Sequence, residues 1–257
     1  MRFDFKDDSY IKDFAEFWFG FTPYFYQMEF LNACLTRNRV AAKWCRQAGK
    51  SQSVAIYSLF RVLSERCQIL ITAPTQSQSK ELYEKIRQMS NDNPIILEYI
   101  IKSTETEMKF KNGSRILSLP CGPEGKSIRG YTADVVIVEE AGIMKDSIVN
   151  TVIIPMIASK KEHGQIIKIG TPLTKNHFYV SIFEDTNYFV SNVTWRECIK
   201  ADSYSQQFVD EQKMNLLDIQ FRTEYEAEFI EGLASFFEID VLNYSDQFDY
   251  KLISLDT

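Results

Sequence analysis

Four short apolar runs, each closed by residues that carry chemistry, constrain this chain more than any other feature. "RVAAKWC" (39–45) leads into "RQAGKS", and "QILITAP" (68–74) leads into "TQSQ". "ADVVIVEEAG" (133–142) has four apolar residues followed by two acids, and "GQIIKIGTP" (164–172) ends in Gly-Thr-Pro. An unbroken apolar run of this length reads as a strand buried on both faces. Between the first three lie stretches of helical period without Pro or Gly, "SQSVAIYSLFRVLSE" (51–65) and "QSQSKELYEKIRQMS" (76–90). Strands alternating with helices give an α/β fold, a mostly parallel sheet flanked by helices on both faces. Ligands of such sheets bind at the carboxyl ends of the strands. Those ends carry Gly-Lys-Ser, Ala-Pro-Thr, Glu-Glu and Gly-Thr-Pro, so one edge collects phosphate, metal and hydroxyl chemistry.

The rest of the chain frames this pattern. Residues 10–19, "YIKDFAEFWF", read as an amphipathic helix, and Thr22-Pro23 opens a second. "MKFKNGSRILSLP" (108–120) reads as a hairpin turning at Asn112-Gly113, and "YFVSNVTW" (188–195) as a further strand. From about Arg196 the chain becomes charged and helical, a small lid after the sheet. "IEGLASFFEIDVLNYSDQFDY" reads as a linker, and "KLISLDT" as the opening of a new strand. The expected division is a core over 1–195, a helical lid over 196–235, and a linker with the start of another domain over 236–257.

Composition excludes several classes. With 45% hydrophobic and 25% charged residues the chain is globular rather than disordered. Cysteines 34, 45, 67, 121 and 198 never stand in C-x-x-C spacing, which points to reduced thiols rather than disulfides or zinc. With only His163 and His177, histidine-rich metal chemistry is not expected, and both are read as structural, like Cys45. The N-terminus is too charged for a signal peptide, and no apolar run approaches the roughly 20 residues of a membrane helix. A soluble, intracellular protein with no membrane partner is expected. The net charge of -6 requires any nucleic-acid contact to be a local patch, for which Lys109, Lys111 and Arg115 are candidates.

"WCRQAGKS" (44–51) ends as a phosphate-binding loop does, yet it puts Trp44 where the pattern G-x-x-x-x-G-K-[ST] asks for glycine. As a nucleotide site, backbone N–H groups from Gln47 through Ala48 and Gly49 to Gln52 would cradle phosphate at a helix N-terminus. Lys50 would reach the β and γ oxygens, Ser51 would hold Mg²⁺, and Arg46 would add positive charge. Gly-Lys-Ser also arises by chance. In "VVIVEE", Glu139 would orient Mg²⁺ and Glu140 would polarise the attacking water; the plainer reading is a buried strand ending in a solvated acidic turn. Thr72, Thr75, Gln76 and Thr171 either couple phosphate state to motion or serve as turn residues. Gln27, among Tyr24, Phe25 and Tyr26, either reads an adenine edge or packs in the core. Arg129, in a loop with Gly122, Gly125 and Gly130, is either an arginine finger or a solvated side chain.

Together "RQAGKS", "ITAPTQSQ", "FKNGSRILSLP", "SIRGYTADVVIVEEAG", "KIGTP" and "FRTEYEAEFIE" resemble the large terminase subunit of tailed viruses, over about residues 20–237. That family is the ATP-driven motor that packs DNA into a procapsid. The resemblance implies a P-loop NTPase core of the ASCE/RecA-like type with a small helical lid, and ATP and Mg²⁺ as ligands. It implies Lys50 and Ser51 on phosphate and metal, Glu139 completing the metal shell where aspartate is usual, and Glu140 as general base. It makes Arg46 a sensor of the γ-phosphate in cis, Arg129 an arginine finger in trans, Gln27 the adenine reader and Thr171 part of the coupling motif. The implied partners are double-stranded viral DNA, portal protein, the small terminase subunit and further copies in a ring, a pentamer during packaging, at the portal vertex in the host cytoplasm. The family continues into an RNase H-like nuclease, of which "KLISLDT" would be the first strand and Asp256 the first metal ligand. These 257 residues would then hydrolyse ATP weakly and cut no DNA. A helicase-like nucleic-acid-dependent ATPase and a non-catalytic nucleotide-binding scaffold stay open as alternatives.

Overall fold

The computed structural model describes residues 9–230. Expectations for 231–257, among them the linker and Asp256, lie outside the described residues. Two helices open the chain, α1 (Ser9–Phe19) and α2 (Phe25–Thr36), followed by β1 (Arg39–Trp44) and α3 (Lys50–Ser64). Next come β2 (Gln68–Thr72) and α4 (Gln76–Asn91). Thr75 closes a capping box on α4: its hydroxyl accepts from Gln78 N–H, and its own N–H donates to Gln78 Oε1 at 3.3 Å. The short α5 (Pro94–Tyr99) starts at an Asn93 cap with proline in its first turn, and runs into β3 (Ile100–Ser103).

Strands β4 (Glu107–Phe110) and β5 (Arg115–Ser118) form the expected hairpin. Gly113 takes φ 83° at its turn, and Asn112 Oδ1 accepts from Ser114 N–H. After β6 (Val135–Glu139), α6 (Asp146–Ile148) passes through a π-turn (Val149–Ile153) into α7 (Ile154–Met156). Then come β7 (Gln165–Gly170), α8 (His177–Phe183) and β8 (Phe189–Val193). Three helices finish the described chain: α9 (Trp195–Lys200), α10 (Gln206–Asn215) and α11 (Asp218–Glu224).

The eight strands form one sheet in the order β3-β4-β5-β2-β6-β7-β1-β8. From β5 to β8 every neighbour is parallel, and β3 and β4 add an antiparallel edge. Strand alternation sorts side chains onto two faces. Val40, Ala42, Trp44, Ile69, Ile71, Val135, Ile137, Ile167 and Ile169 join one cluster with α1–α4 and α9–α11. Ala41, Leu70, Val136, Val138 and Ile166 join the other, beneath α6–α8 and the 121–133 loop.

Trp44 explains its own place in the loop motif. It is the last residue of β1 and fully buried, its ring set edge-on to Tyr26 and packed against Phe30, and its indole N–H donates to Ser191 Oγ at 2.8 Å. The lid helices share this cluster through Cys198, Tyr204, Val209, Phe221 and Tyr225 and have no separate core among the described residues.

Candidate functional site

The four loaded strand ends are neighbours. β2, β6, β7 and β1 are consecutive and parallel, so Thr72, Glu139, Gly170 and Trp44 finish side by side at the carboxyl edge. Beyond β1 the chain turns sharply, with Gln47 at φ 56° and Gly49 at φ 83° as the N-cap of α3. The left-handed φ favours glycine at residue 49, and a Cβ there would also stand 2.3 Å from Gln27 Nε2, so that side chain would have to move.

Lys50, Ser51, Val54, Glu139, Glu140, Ile169 and Gly170 line one crevice. Its cavity is about 10 Å³, and the Lys50 ammonium donates to the carbonyls of Trp44 and Cys45 at 3.1 and 2.9 Å. A phosphate enters only if that ammonium exchanges those carbonyls for phosphate oxygens. Burial lowers the pKa of Lys50, opposed by Glu140, Cys45, Glu224 and Glu139.

The acids are held at unequal costs. Glu139 closes β6, and its Oε2 is buried without a hydrogen bond. Burial first, then Glu140 and Glu81, raise its pKa to about 8, against the opposing pull of Lys50. Glu140 follows at φ 51°, and burial raises its pKa as well. An orphaned carboxylate oxygen on the crevice that Ser51 also lines fits a divalent cation, which would satisfy that oxygen and offset the repulsion between the acids. Thr72, paired with Val138 one residue before Glu139, likewise has a buried hydroxyl without a partner. Among the described residues no cluster of three or more His, Cys, Asp or Glu side chains is set to hold a metal.

The turn carrying Glu140 is locked to the end of β7. A Cβ on Gly142 would lie 2.2 Å from Thr171 O, and one on Gly170 would lie 2.9 Å from Ala141 N. The Asn176 side-chain amide donates to the carbonyls of Ala141, Gly142 and Met144 at 3.2, 2.9 and 3.3 Å, while its Oδ1 caps α8. Thr171 thus joins the site through its backbone, as part of one unit with the acidic turn.

A model of the family described as "Terminase large subunit, T4likevirus-type, N-terminal" matches residues 44–243. This chain belongs to that family. The terminase large subunits of Thermus phage G20c and Thermus virus P23-45 are each 24% identical to it over 266 residues, covering 87% of this chain and 52% of each relative. The chain thus spans about half the length of the curated relatives it matches. Among solved structures, the large terminase ATPase domain of Thermus phage P74-26 superposes with a TM-score of 0.70 at 19% identity, over 85% of this chain and 98% of that one. The HK97 bacteriophage large terminase gives 0.72 at 16% identity, over 87% and 55%. A large terminase from a thermophilic bacteriophage, in complex with ADP, gives 0.63 at 12% identity, over 80% and 53%. These likenesses establish the P-loop fold.

In this terminase the remaining candidates fall outside the crevice. Gln27 is 2% exposed and lies beneath the loop: Oε1 accepts from Tyr24 N–H, and Nε2 reaches Ala48 O at 3.5 Å. Both ends of its amide face protein, so it props Gly49 and is removed from the open side of the loop. Gln52 turns to Met89 Sδ, and Ala48 is buried. Arg46 is exposed; its guanidinium lies 3.8 Å from Glu224, its N–H donates to Glu224 O, and its carbonyl accepts from the Tyr204 hydroxyl. Arg129 is exposed in a turn and does not line the crevice of its own chain. Thr75 is occupied as a helix cap. Lys102 on β3, Lys109 on β4 and Arg115 on β5 all pair with Glu107, whose single carboxylate offsets only one of their charges.

Sequence reasoning missed Glu81, Glu224, Tyr204 and Asn176. Asn176 alone carried a local signal, an asparagine just before the apolar "HFYVSIF". Isolated charges on helices, such as Glu81 and Glu224, carry none.

Proposed function

We propose that this terminase domain hydrolyses ATP with Mg²⁺ and drives double-stranded viral DNA into a procapsid. The reading rests on one observation: Lys50, Ser51, Glu139 and Glu140 share a single crevice at adjacent parallel strand ends. Lys50 leaves the Trp44 and Cys45 carbonyls to neutralise the β and γ oxygens, and the loop N–H groups at the start of α3 cradle them. Ser51 and Glu139 would hold Mg²⁺, whose chemistry here is to offset charge on the phosphates. Glu140 accepts the proton of the attacking water; a carboxylate whose pKa burial raises is a stronger base than a solvated one. The rigid link from Glu140 through Gly142 to Thr171 passes the change in γ-phosphate state to β7.

The wider assembly belongs to the same proposal: a ring of five copies on the portal protein, with the small terminase subunit, in the host cytoplasm. Arg46 acts in cis and Arg129 reaches a neighbour's γ-phosphate. The core over 1–195 and lid over 196–235 lead through 236–257 towards a nuclease. In assembled rings, activity should fall faster than linearly as Arg129→Ala subunits are mixed in; a linear fall sinks the trans role.

Replacing Glu140 by Gln tests the central claim. Turnover should drop by about 10²- to 10⁴-fold while ATP still binds. Turnover equal to wild type would remove Glu140 as the base.

A further inference from the structure

Beneath α8 the sheet buries a charge that an apolar residue would spare it. Lys168 lies on β7, paired with Ala41 of β1 and Val138 of β6. Its neighbours Ile167 and Ile169 point to the crevice side, so its own side chain leaves on the other face, among Ala41, Val136 and Val138. A hydrophobic side chain would pack there without desolvating an ammonium. The charge is kept and fully engaged instead. Lys168 Nζ donates to Ser181 Oγ at 2.7 Å and to His177 O at 3.3 Å, and it lies 4.9 Å from the centre of the Tyr188 ring.

Both hydrogen bonds end on α8, whose first turn holds the acidic turn in place. Asn176 gathers the carbonyls of Ala141, Gly142 and Met144, and the His177 N–H donates to Asp146 Oδ1 at 2.6 Å. Ser181 Oγ donates at 2.8 Å to the same His177 carbonyl that Lys168 reaches. Direct contacts therefore run from the ammonium to His177, from Asn176 beside it to the 141–144 carbonyls, and so to Glu140, one residue before Ala141. His177 adds a second unfavourable burial at this point, since neither ring nitrogen has a hydrogen-bond partner. Two polar groups are thus desolvated under the one helical turn that fixes Glu140.

We propose that Lys168 is a positioning residue for ATP hydrolysis: bonded to the first turn of α8, it sets where Asn176 holds the turn that carries Glu140. The proposal rests on the reading that Glu140 is the base. It gives Lys168 no contact with nucleotide, because the ammonium lies on the face of the sheet away from the crevice. The charged and titratable groups facing it are His177 on α8, Asp185 and Tyr188 between α8 and β8, Asp146 on α6 and Arg39 on β1, while β6 presents Val136 and Val138. Burial lowers the Lys168 pKa to about 8 and the His177 pKa to about 4, so above neutral pH Lys168 is the member of that pair whose charge changes. Losing the proton weakens its bonds to α8 and removes its attraction to the Tyr188 ring.

Steady-state ATP turnover measured across neutral and alkaline pH tests this. In wild type, kcat should fall on the alkaline side with an apparent pKa near 8 while KM for MgATP stays level. Titration of Lys50, which meets the phosphates, would instead raise KM. Lys168→Met should lower kcat on the order of tenfold at neutral pH, leave KM little changed and abolish the alkaline limb. Ser181→Ala removes one acceptor of the ammonium and should move the limb to lower pH by about one unit. A packing role alone would lower kcat together with the melting temperature and leave the limb where it is. A wild-type kcat that stays level, a limb that survives in Lys168→Met, or one that does not move in Ser181→Ala overturns the proposal. Wild-type turnover in Glu140→Gln removes the base reading instead, whatever Lys168 does.

Discussion

Trp44 is where one residue changes how the loop is built. A glycine at the head of this motif gives the loop freedom; here an indole anchors it by filling the core between Tyr26 and Phe30 and bonding Ser191. The loop is therefore fixed to β1 and β8, and it makes its turn through left-handed backbone at Gln47 and Gly49. Restoring the common motif with Trp44→Gly should cost about 3–5 kcal/mol in urea denaturation, through the cavity and the orphaned serine. A loss under about 1 kcal/mol would mean the loop does not depend on the indole. The bottom of the loop follows the same logic: Gln27 sits where a Cβ on Gly49 would go, so the two residues are one fitted pair.

At the level of elements, the decisive unit is the pair of loops after β6 and β7. Gly142 against Thr171 O, Gly170 against Ala141 N, and three carbonyls gathered by Asn176 make them move together. Asn176 is a positioning residue for Glu140. Asn176→Asp retains an oxygen to cap α8 but no amide to donate, so it separates the two tasks. It should lower kcat ten- to a hundredfold, on the order expected for a misplaced catalytic group, with KM for ATP little changed. Full kcat in the aspartate variant would show that the cap alone matters. The strand runs, the first four helices and the Asn112-Gly113 hairpin were legible because each has its own period or turn chemistry. β3 was not: it is an edge strand with mostly exposed side chains, and its partner β4 supplies what its pattern lacks. Nor was the helix over 146–156, whose π-turn breaks the 3.6-residue period.

Across the whole molecule, charge is placed against solvation in ways a net value of -6 conceals. Lys168, in the middle of the sheet, is 3% exposed; its ammonium donates to Ser181 Oγ and His177 O and lies over the Tyr188 ring. Burial, opposed by Asp185 and Asp146, lowers its pKa to about 8. Between pH 8 and the ordinary lysine value the unfolded chain holds the extra proton, so this group adds stability as pH rises and loses it as pH falls through about 8. From pH 10.5 to pH 7, the stability of Lys168→Met relative to wild type should therefore improve by up to about 3 kcal/mol. Thermal melts of both proteins across that range check it, and a constant gap refutes it. The same accounting applies beside the hairpin, where Glu107 offsets only one of the charges of Lys102, Lys109 and Arg115 and leaves that patch net positive.

Sequence alone determined a mostly parallel sheet, the gathering of its loaded ends on one edge and the chemical character of Lys50, Ser51, Glu139 and Glu140, because apolar runs and end motifs are local properties of the chain. The spatial order of the strands came from the tertiary structure. Tertiary structure decided what those residues face. It set Gln27 under the loop, locked the Glu140 turn through Asn176, and brought α10 and α11 beside Arg46 to form a groove. Each of these is a contact between segments tens of residues or more apart. No local period encodes such a pairing; it follows from which faces the helices must bury once the sheet has formed.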